Sequence, residues 1–196
     1  MRLAVLIICL VTLTTYNNKW PVVSEVEILQ VETIVAKDSI IKDPPAAAIF
    51  PAGAQRINTG STQPGELLAF AMTLIGTPYR YASVDPAIGF DCSGFITYTF
   101  NHFRIAVPRS SIDFTNVEGE ISLTNAKPGD LVLFTGTDSS SRVVGHMGII
   151  SSKENGEFYF IHSTSGKANG VTISSLSKYY SIRFVKVIRI FPQNDQ

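Results

Sequence analysis

The sequence predicts an α+β domain in which helices come first and a mostly antiparallel sheet follows. Three observations predict it. Residues 66–75 carry apolar side chains at helical spacing. A second apolar run, rich in aromatics, follows Asp91-Cys92 at once. From Lys127 onward, short apolar runs alternate with Gly, Pro, Asn and Asp turns and read as consecutive strands.

In the first helix Leu67, Phe70, Ala71, Leu74 and Ile75 share one face. Thr62 or Gln63 caps its start, Pro64 suits the first turn, and Gly76 ends it. Pro78 turns Thr77 away from helix, so Thr77-Pro78-Tyr79 is extended or turned. A loop with Pro86 and Gly89 leads to the second helix, for which Asp91 is the N-cap. Val107-Pro108-Arg109-Ser110-Ser111 is a second proline-marked loop, and Lys127-Pro128-Gly129-Asp130 is a turn. The expected strands are 131–134, 146–150, 158–162, 171–173 and 184–190.

The 196 residues are 45% hydrophobic and 16% charged, a globular composition. Basic and acidic residues number 16 each, and no basic patch argues for nucleic acid. Residues 1–20 begin with Arg2 and an apolar run from Leu3 to Val11. That run has the length of an export-signal core and falls short of the roughly 20 residues a spanning helix needs. It is expected to be an export signal, or an anchor associated with a membrane if it is kept. No Ala-x-Ala follows it, and Ile8 before Cys9 speaks against lipidation. A buried N-terminal strand is the alternative. Residues 21–60 read as a Pro- and Ala-rich linker without a clear fold. Residues 61–191 form the domain, and 192–196 a tail.

Cys92 is the only cysteine besides Cys9. At the start of a helix, unpaired N–H groups and the dipole favour negative charge. A thiol there is expected to have a pKa below its free value of about 8.5. A buried structural cysteine is the alternative. Two histidines bear on the choice, His146 in Gly145-His146-Met147-Gly148 and His162 in Phe160-Ile161-His162-Ser163. Both fall on expected strands joined through Asn155-Gly156. Side chains alternate faces along a strand, so the two histidines share a face only if the hairpin register permits it. A two-residue Asn155-Gly156 turn would separate them. A three-residue loop, Lys153 to Asn155, with Gly156 as a left-handed bulge, keeps them together and is the expected form.

With the pair adjacent, His146 can take the Cys92 proton and return it to a leaving amine. His162 can fix the tautomer of His146. The Cys92 backbone N–H and the Tyr79 hydroxyl are candidate oxyanion donors. Gly145 and Gly148 would let a thiol and substrate approach the strand. A metal site built on the same Cys and two His lacks a fourth ligand and the short spacings of zinc, so neither metal nor other cofactor is expected. His102, at the polar end of the second helix, is expected to face solvent.

From about Ser61 to Phe191 the chain resembles the NlpC-type cell-wall peptidases, a papain-like family of cysteine peptidases. The resemblance is carried, in order, by Gly76-Thr77-Pro78-Tyr79, Phe90-Asp91-Cys92-Ser93-Gly94-Phe95, Val107-Pro108-Arg109-Ser110-Ser111, Lys127-Pro128-Gly129-Asp130-Leu131, Gly145-His146-Met147-Gly148-Ile149 and Phe160-Ile161-His162-Ser163. It implies a papain-like fold with the Cys on a helix against the sheet. It implies hydrolysis of amide bonds in peptidoglycan stem peptides, typically between D-γ-glutamate and diaminopimelate or lysine. The roles implied are Cys92 as nucleophile, His146 as base, His162 as third member, and Asp91 and Ser93 as holders of a substrate amine. The place of action implied is the periplasm, the cell envelope or the exterior.

Two departures stand out. Tyr81-Ala82-Ser83 replaces the family's usual Trp-Gly-Gly, and Phe114 stands where a Gln is common. Both are expected where substrate would be gripped. Two further readings keep the fold: a non-catalytic module that docks peptides or a partner, and an amidase for small soluble peptides.

Overall fold

A computed structural model describes residues 56–196. The expected export segment and the linker up to Gln55 lie outside those residues.

The chain enters helix α1 (Pro64–Thr73), then a two-stranded ribbon of β1 (Val84–Asp85) and β2 (Gly89–Phe90), then helix α2 (Cys92–His102). Strands β3 (Glu120–Ile121), β4 (Leu131–Thr135), β5 (Val144–Glu154), β6 (Glu157–Thr164) and β7 (Gly170–Ser175) follow. A short helix α3 (Lys178–Ser181) precedes β8 (Phe184–Ile188). The main sheet has the order β3-β8-β4-β5-β6-β7, and every neighbouring pair is antiparallel. This is the α+β arrangement expected, with each anticipated strand present.

α1 begins at Gln63, whose N–H is held by the Glu66 carboxylate at 2.8 Å. Its buried face is Leu67, Leu68 and Ala71. Ile75, expected on that face, is 49% exposed, because the helix stops at Thr73 before the periodicity reaches it. α2 is the better-buried helix: Phe95, Ile96 and Phe100 are wholly inaccessible. Burying three such side chains is worth about 1.5–3 kcal/mol each, which fixes the helix start in space. Thr97 and Thr99 are buried too, and their hydroxyls donate to the carbonyls of Ser93 and Phe95 one turn back.

The sheet has a core on each face. One holds both helices against Leu131, Leu133, Met147, Ile149 and Ile161. The other gathers Val132, Phe134, Ile150, Phe158, Phe160 and Val187. The Lys127–Asp130 turn serves packing. Asp130, wholly buried, pairs with Arg189 at 3.0 Å and accepts from Asn194 at 3.1 Å.

The β5–β6 hairpin overturns one expectation. Its turn is the two-residue Asn155-Gly156, with φ of 52° and 84°, and Glu154 pairs with Glu157. Taken alone, that register would put the histidines on opposite faces. A bulge at Ser151 prevents it. Ser152 pairs with Tyr159 while Ile150 pairs with Phe160, so Ser151 is an extra residue and the register shifts by one. His146 and His162 therefore share a face as diagonal neighbours. Continuing the register of Ile149 with Ile161 sets Gly148 opposite His162. A side chain at Gly148 would lie 2.8 Å from the Ile161 carbonyl and 3.1 Å from Cβ of His162. Gly148 thus makes room for β6 rather than for substrate, and Gly145 likewise abuts Gly136, 2.8 Å from where its Cβ would be.

Among the described residues no helix is long and apolar enough to cross a membrane.

Candidate active site

α2 delivers Cys92 to the start of β5. Asp91 caps the helix as expected, accepting from the Gly94 N–H. The Cys92 thiol donates to the Gly145 carbonyl at 3.9 Å, so its hydrogen bond goes to the strand backbone and not to an imidazole. Cys92, Gly145, His146 and Tyr79 line one cleft of about 900 Å³. The two histidines are joined directly, with His146 Nε2 and His162 Nδ1 2.8 Å apart. His162 is wholly buried, and its Nε2 meets Ser174 Oγ at 2.9 Å. This chain has one useful polarity. If His146 Nε2–H donates to His162 Nδ1, then His162 Nε2–H donates to Ser174, and Nδ1 of His146 is left to accept a proton.

Tyr79 is placed by backbone pairing on both sides. Its N–H donates to the Asn169 carbonyl at 2.9 Å, and it bridges Phe90 in parallel. Burial raises its pKa, helped by Cys92 and Asp91, so the phenol stays a donor. The Cys92 N–H lies in the first turn, where a helix has no acceptor of its own. A thiol, an acceptor imidazole and two donors in one cleft can carry out nucleophilic acyl chemistry.

The thiol does not behave as the helix start alone suggests. Its pKa is pushed up to about 11, first by burial and then by the Asp91 carboxylate beside it. Hydrogen bonds from the helix start and from the Met147 N–H oppose this without outweighing it. Burial holds both histidines neutral as well. His146 lies well below the ordinary value through burial, His162 and Arg183. His162 falls to about 3 through burial and then Arg183. Burial therefore disfavours the charged forms of the thiol and of both imidazoles.

Asp91 and Ser93 do not stand free. Arg109 reaches both, with Nη2 2.9 Å and Nη1 3.1 Å from the Asp91 carboxylate and Nη1 2.9 Å from Ser93 Oγ. Phe114 is wholly buried in the core, which corrects its expected place at the substrate. Tyr81 is 83% exposed and does not line the cleft, whereas Ser83 is buried and its carbonyl accepts the Asp91 N–H at 3.2 Å. His102 is exposed as expected and stacks on Phe70, with ring centroids 3.7 Å apart. Arg109, Ser174 and Arg183 were missed as site residues. Arg109 had one signal, its place in the Val107–Ser111 loop, while Ser174 and Arg183 stand in segments without a motif.

Among the described residues no group of three or more His, Cys, Asp or Glu side chains could hold a metal ion.

Known proteins resemble this chain in sequence and in fold. The chain is 32% identical over 124 residues to the gamma-DL-glutamyl hydrolase of Bacillus subtilis, covering 63% of this chain and 29% of that one. It is 36% identical over 110 residues to the probable endopeptidase NlpC homolog of Haemophilus influenzae, covering 56% and 52%. It thus spans about half or less of the length of these relatives. The crystal structure of a lipoprotein-like NLP/P60 family protein from Staphylococcus aureus superposes with a TM-score of 0.55 at 26% identity, covering 64% of this chain and 40% of that one. Residues 76–189 match the model of the NlpC/P60 family, and the chain belongs to that family.

Proposed function

We propose that this protein is an exported cysteine peptidase that hydrolyses amide bonds in peptidoglycan stem peptides, of the D-γ-glutamyl–diaminopimelate or –lysine type. The observation that carries the reading is the 2.8 Å pair of His146 and His162, with His146 lining the cleft that Cys92 enters from a helix start. Relatives named as a gamma-DL-glutamyl hydrolase and a probable endopeptidase support the substrate class.

Cys92 is the nucleophile. As its sulfur bonds to the scissile carbonyl carbon, Nδ1 of His146 takes the thiol proton. The tetrahedral oxyanion is met by the Cys92 N–H and the Tyr79 hydroxyl. Collapse expels the amine, which takes the proton from His146, and leaves a thioester. Water then attacks with His146 again as base, releasing the acid and the thiol. His162 orients His146, and Ser174 orients His162. Asp91 and Ser93, fixed by Arg109, hold the amine end of the peptide. The place of action is the cell envelope or the exterior.

The test is digestion of purified peptidoglycan followed by mass spectrometry of the fragments. New stem-peptide termini are expected with the wild type and none with Cys92→Ala. Equal fragments from both, or none from the wild type, would sink the reading. Ser174→Ala removes one hydrogen bond from the imidazole chain. It is expected to lower kcat by roughly fivefold to tenfold, the worth of about 1 kcal/mol, with KM little changed. Ser174→Thr keeps the hydroxyl and should recover most of the loss in the same steady-state assay.

A further inference from the structure

We propose that Arg183 is the receptor for a substrate carboxylate, held in the cleft near His146 with Lys167 at the rim, so that the protein reads a free acid and not an amide at that point of the peptide. The proposal rests on the peptide-hydrolase reading above.

Arg183 precedes β8, is only 7% exposed, and lines the cleft. Its Nε donates to the Gly136 carbonyl at 2.9 Å and its Nη2 to the Thr135 carbonyl at 2.9 Å. Its Nη1 donates to the Tyr179 hydroxyl at 2.6 Å. All three acceptors are neutral. A guanidinium has five N–H groups, so two remain. Among the described residues no carboxylate forms a salt bridge with it. Arg189, comparably buried, pairs with Asp130 at 3.0 Å. A buried cation without a counter-charge is costly, and cost retained inside a cleft points to an anion that arrives.

The rest of the cleft agrees. Its lining includes two cations, Arg183 and Lys167, and neither Asp nor Glu. Low-dielectric walls with one sign of charge concentrate ligands of the opposite sign. The rings of Tyr179 and Tyr180 lie 4.8 and 5.7 Å from the Arg183 Cζ and hold the planar fork in place. That fork suits a carboxylate better than a carboxamide, which would set N–H against N–H. The same charge also helps keep the imidazoles neutral. A carboxylate on Arg183 would offset that charge and make His146 a stronger base, so that recognition and proton transfer are coupled.

The experiment is calorimetric titration of full-length Cys92→Ala protein, which cannot turn over, with synthetic stem tetrapeptides. One peptide carries all its carboxylates; in each of the others a single carboxylate is converted to amide. One amidation is expected to weaken binding at least about tenfold. Adding Arg183→Met should remove that discrimination, and Lys167→Ala should reduce it. Equal binding of every peptide would overturn the proposal, as would discrimination that survives in folded Arg183→Met protein. Should Arg183→Met fail to fold, the acid-against-amide comparison in the parent and in Lys167→Ala decides. Acid-selective binding by a protein whose wild type cleaves nothing would uphold this subsite and sink the hydrolase reading alone.

Discussion

His146→Ala is expected to lower turnover of stem-peptide substrate by about 10²–10⁴-fold, the range for a lost general base. KM should change little, because the imidazole acts on the proton and not on the peptide. The size of the effect follows from the thiol. Burial pushes the Cys92 thiol up to about 11, so the protonated form dominates at pH 7 and the nucleophile is made as His146 takes the proton. The same property sets the alkylation profile. Iodoacetamide should react with the wild-type thiol at a rate that climbs with pH through 8 to 10, with no plateau in the neutral range. This reverses the expectation, drawn from the helix start, of a thiol pKa below about 8.5. In His146→Ala the alkaline limb should persist while peptide cleavage collapses. Cleavage within tenfold of wild type in that variant would remove His146 from the mechanism.

The second large effect is loss of stability in acid. His162 is wholly buried with a pKa near 3, against about 6.5 when unfolded. A depressed pKa means that the unfolded chain binds the proton first. The stability tied to the neutral ring is complete above pH 6.5 and is lost progressively as pH falls from there toward 3. His146 is shifted in the same direction. At about 1.4 kcal/mol per pKa unit, the loss reaches several kcal/mol, a large share of a domain's total. Urea unfolding at pH 7, 5 and 4 should show the midpoint falling steeply. His162→Gln should flatten that slope, whatever it does to stability at pH 7. An unchanged slope in that variant would contradict the burial argument. Decline of activity in mild acid is then expected to follow unfolding, since the folded imidazoles stay neutral below their ordinary range.

Much of this was legible in the sequence. The helix starts came from local rules: Asp91 must cap something, and Pro64 and Gly76 bracket α1. The five strands came from apolar runs between turn residues. What misled was interaction between distant segments. The Asn155-Gly156 dipeptide predicts a tight turn by itself, yet the need to join two histidines suggested an odd loop. The chain satisfies both demands with a bulge at Ser151, and a bulge has no local signature. Phe114 looked like a substrate contact because it stands where the resembled family commonly has a Gln, but a side chain's burial depends on what folds over it.

The order of cysteine and histidines is read directly from the chain, and the helix cap and the alternation of the strands are properties of the chain alone because each depends on residues a few positions apart. Three things were decided only in three dimensions. The register that joins the imidazoles depends on one extra residue in the sheet. The neutrality of thiol and imidazoles depends on how much water the packed core removes. That no carboxylate among the described residues pairs with Arg183 depends on which side chains fail to reach it. Each is a sum over neighbours from separate parts of the chain, and no window of sequence contains that sum.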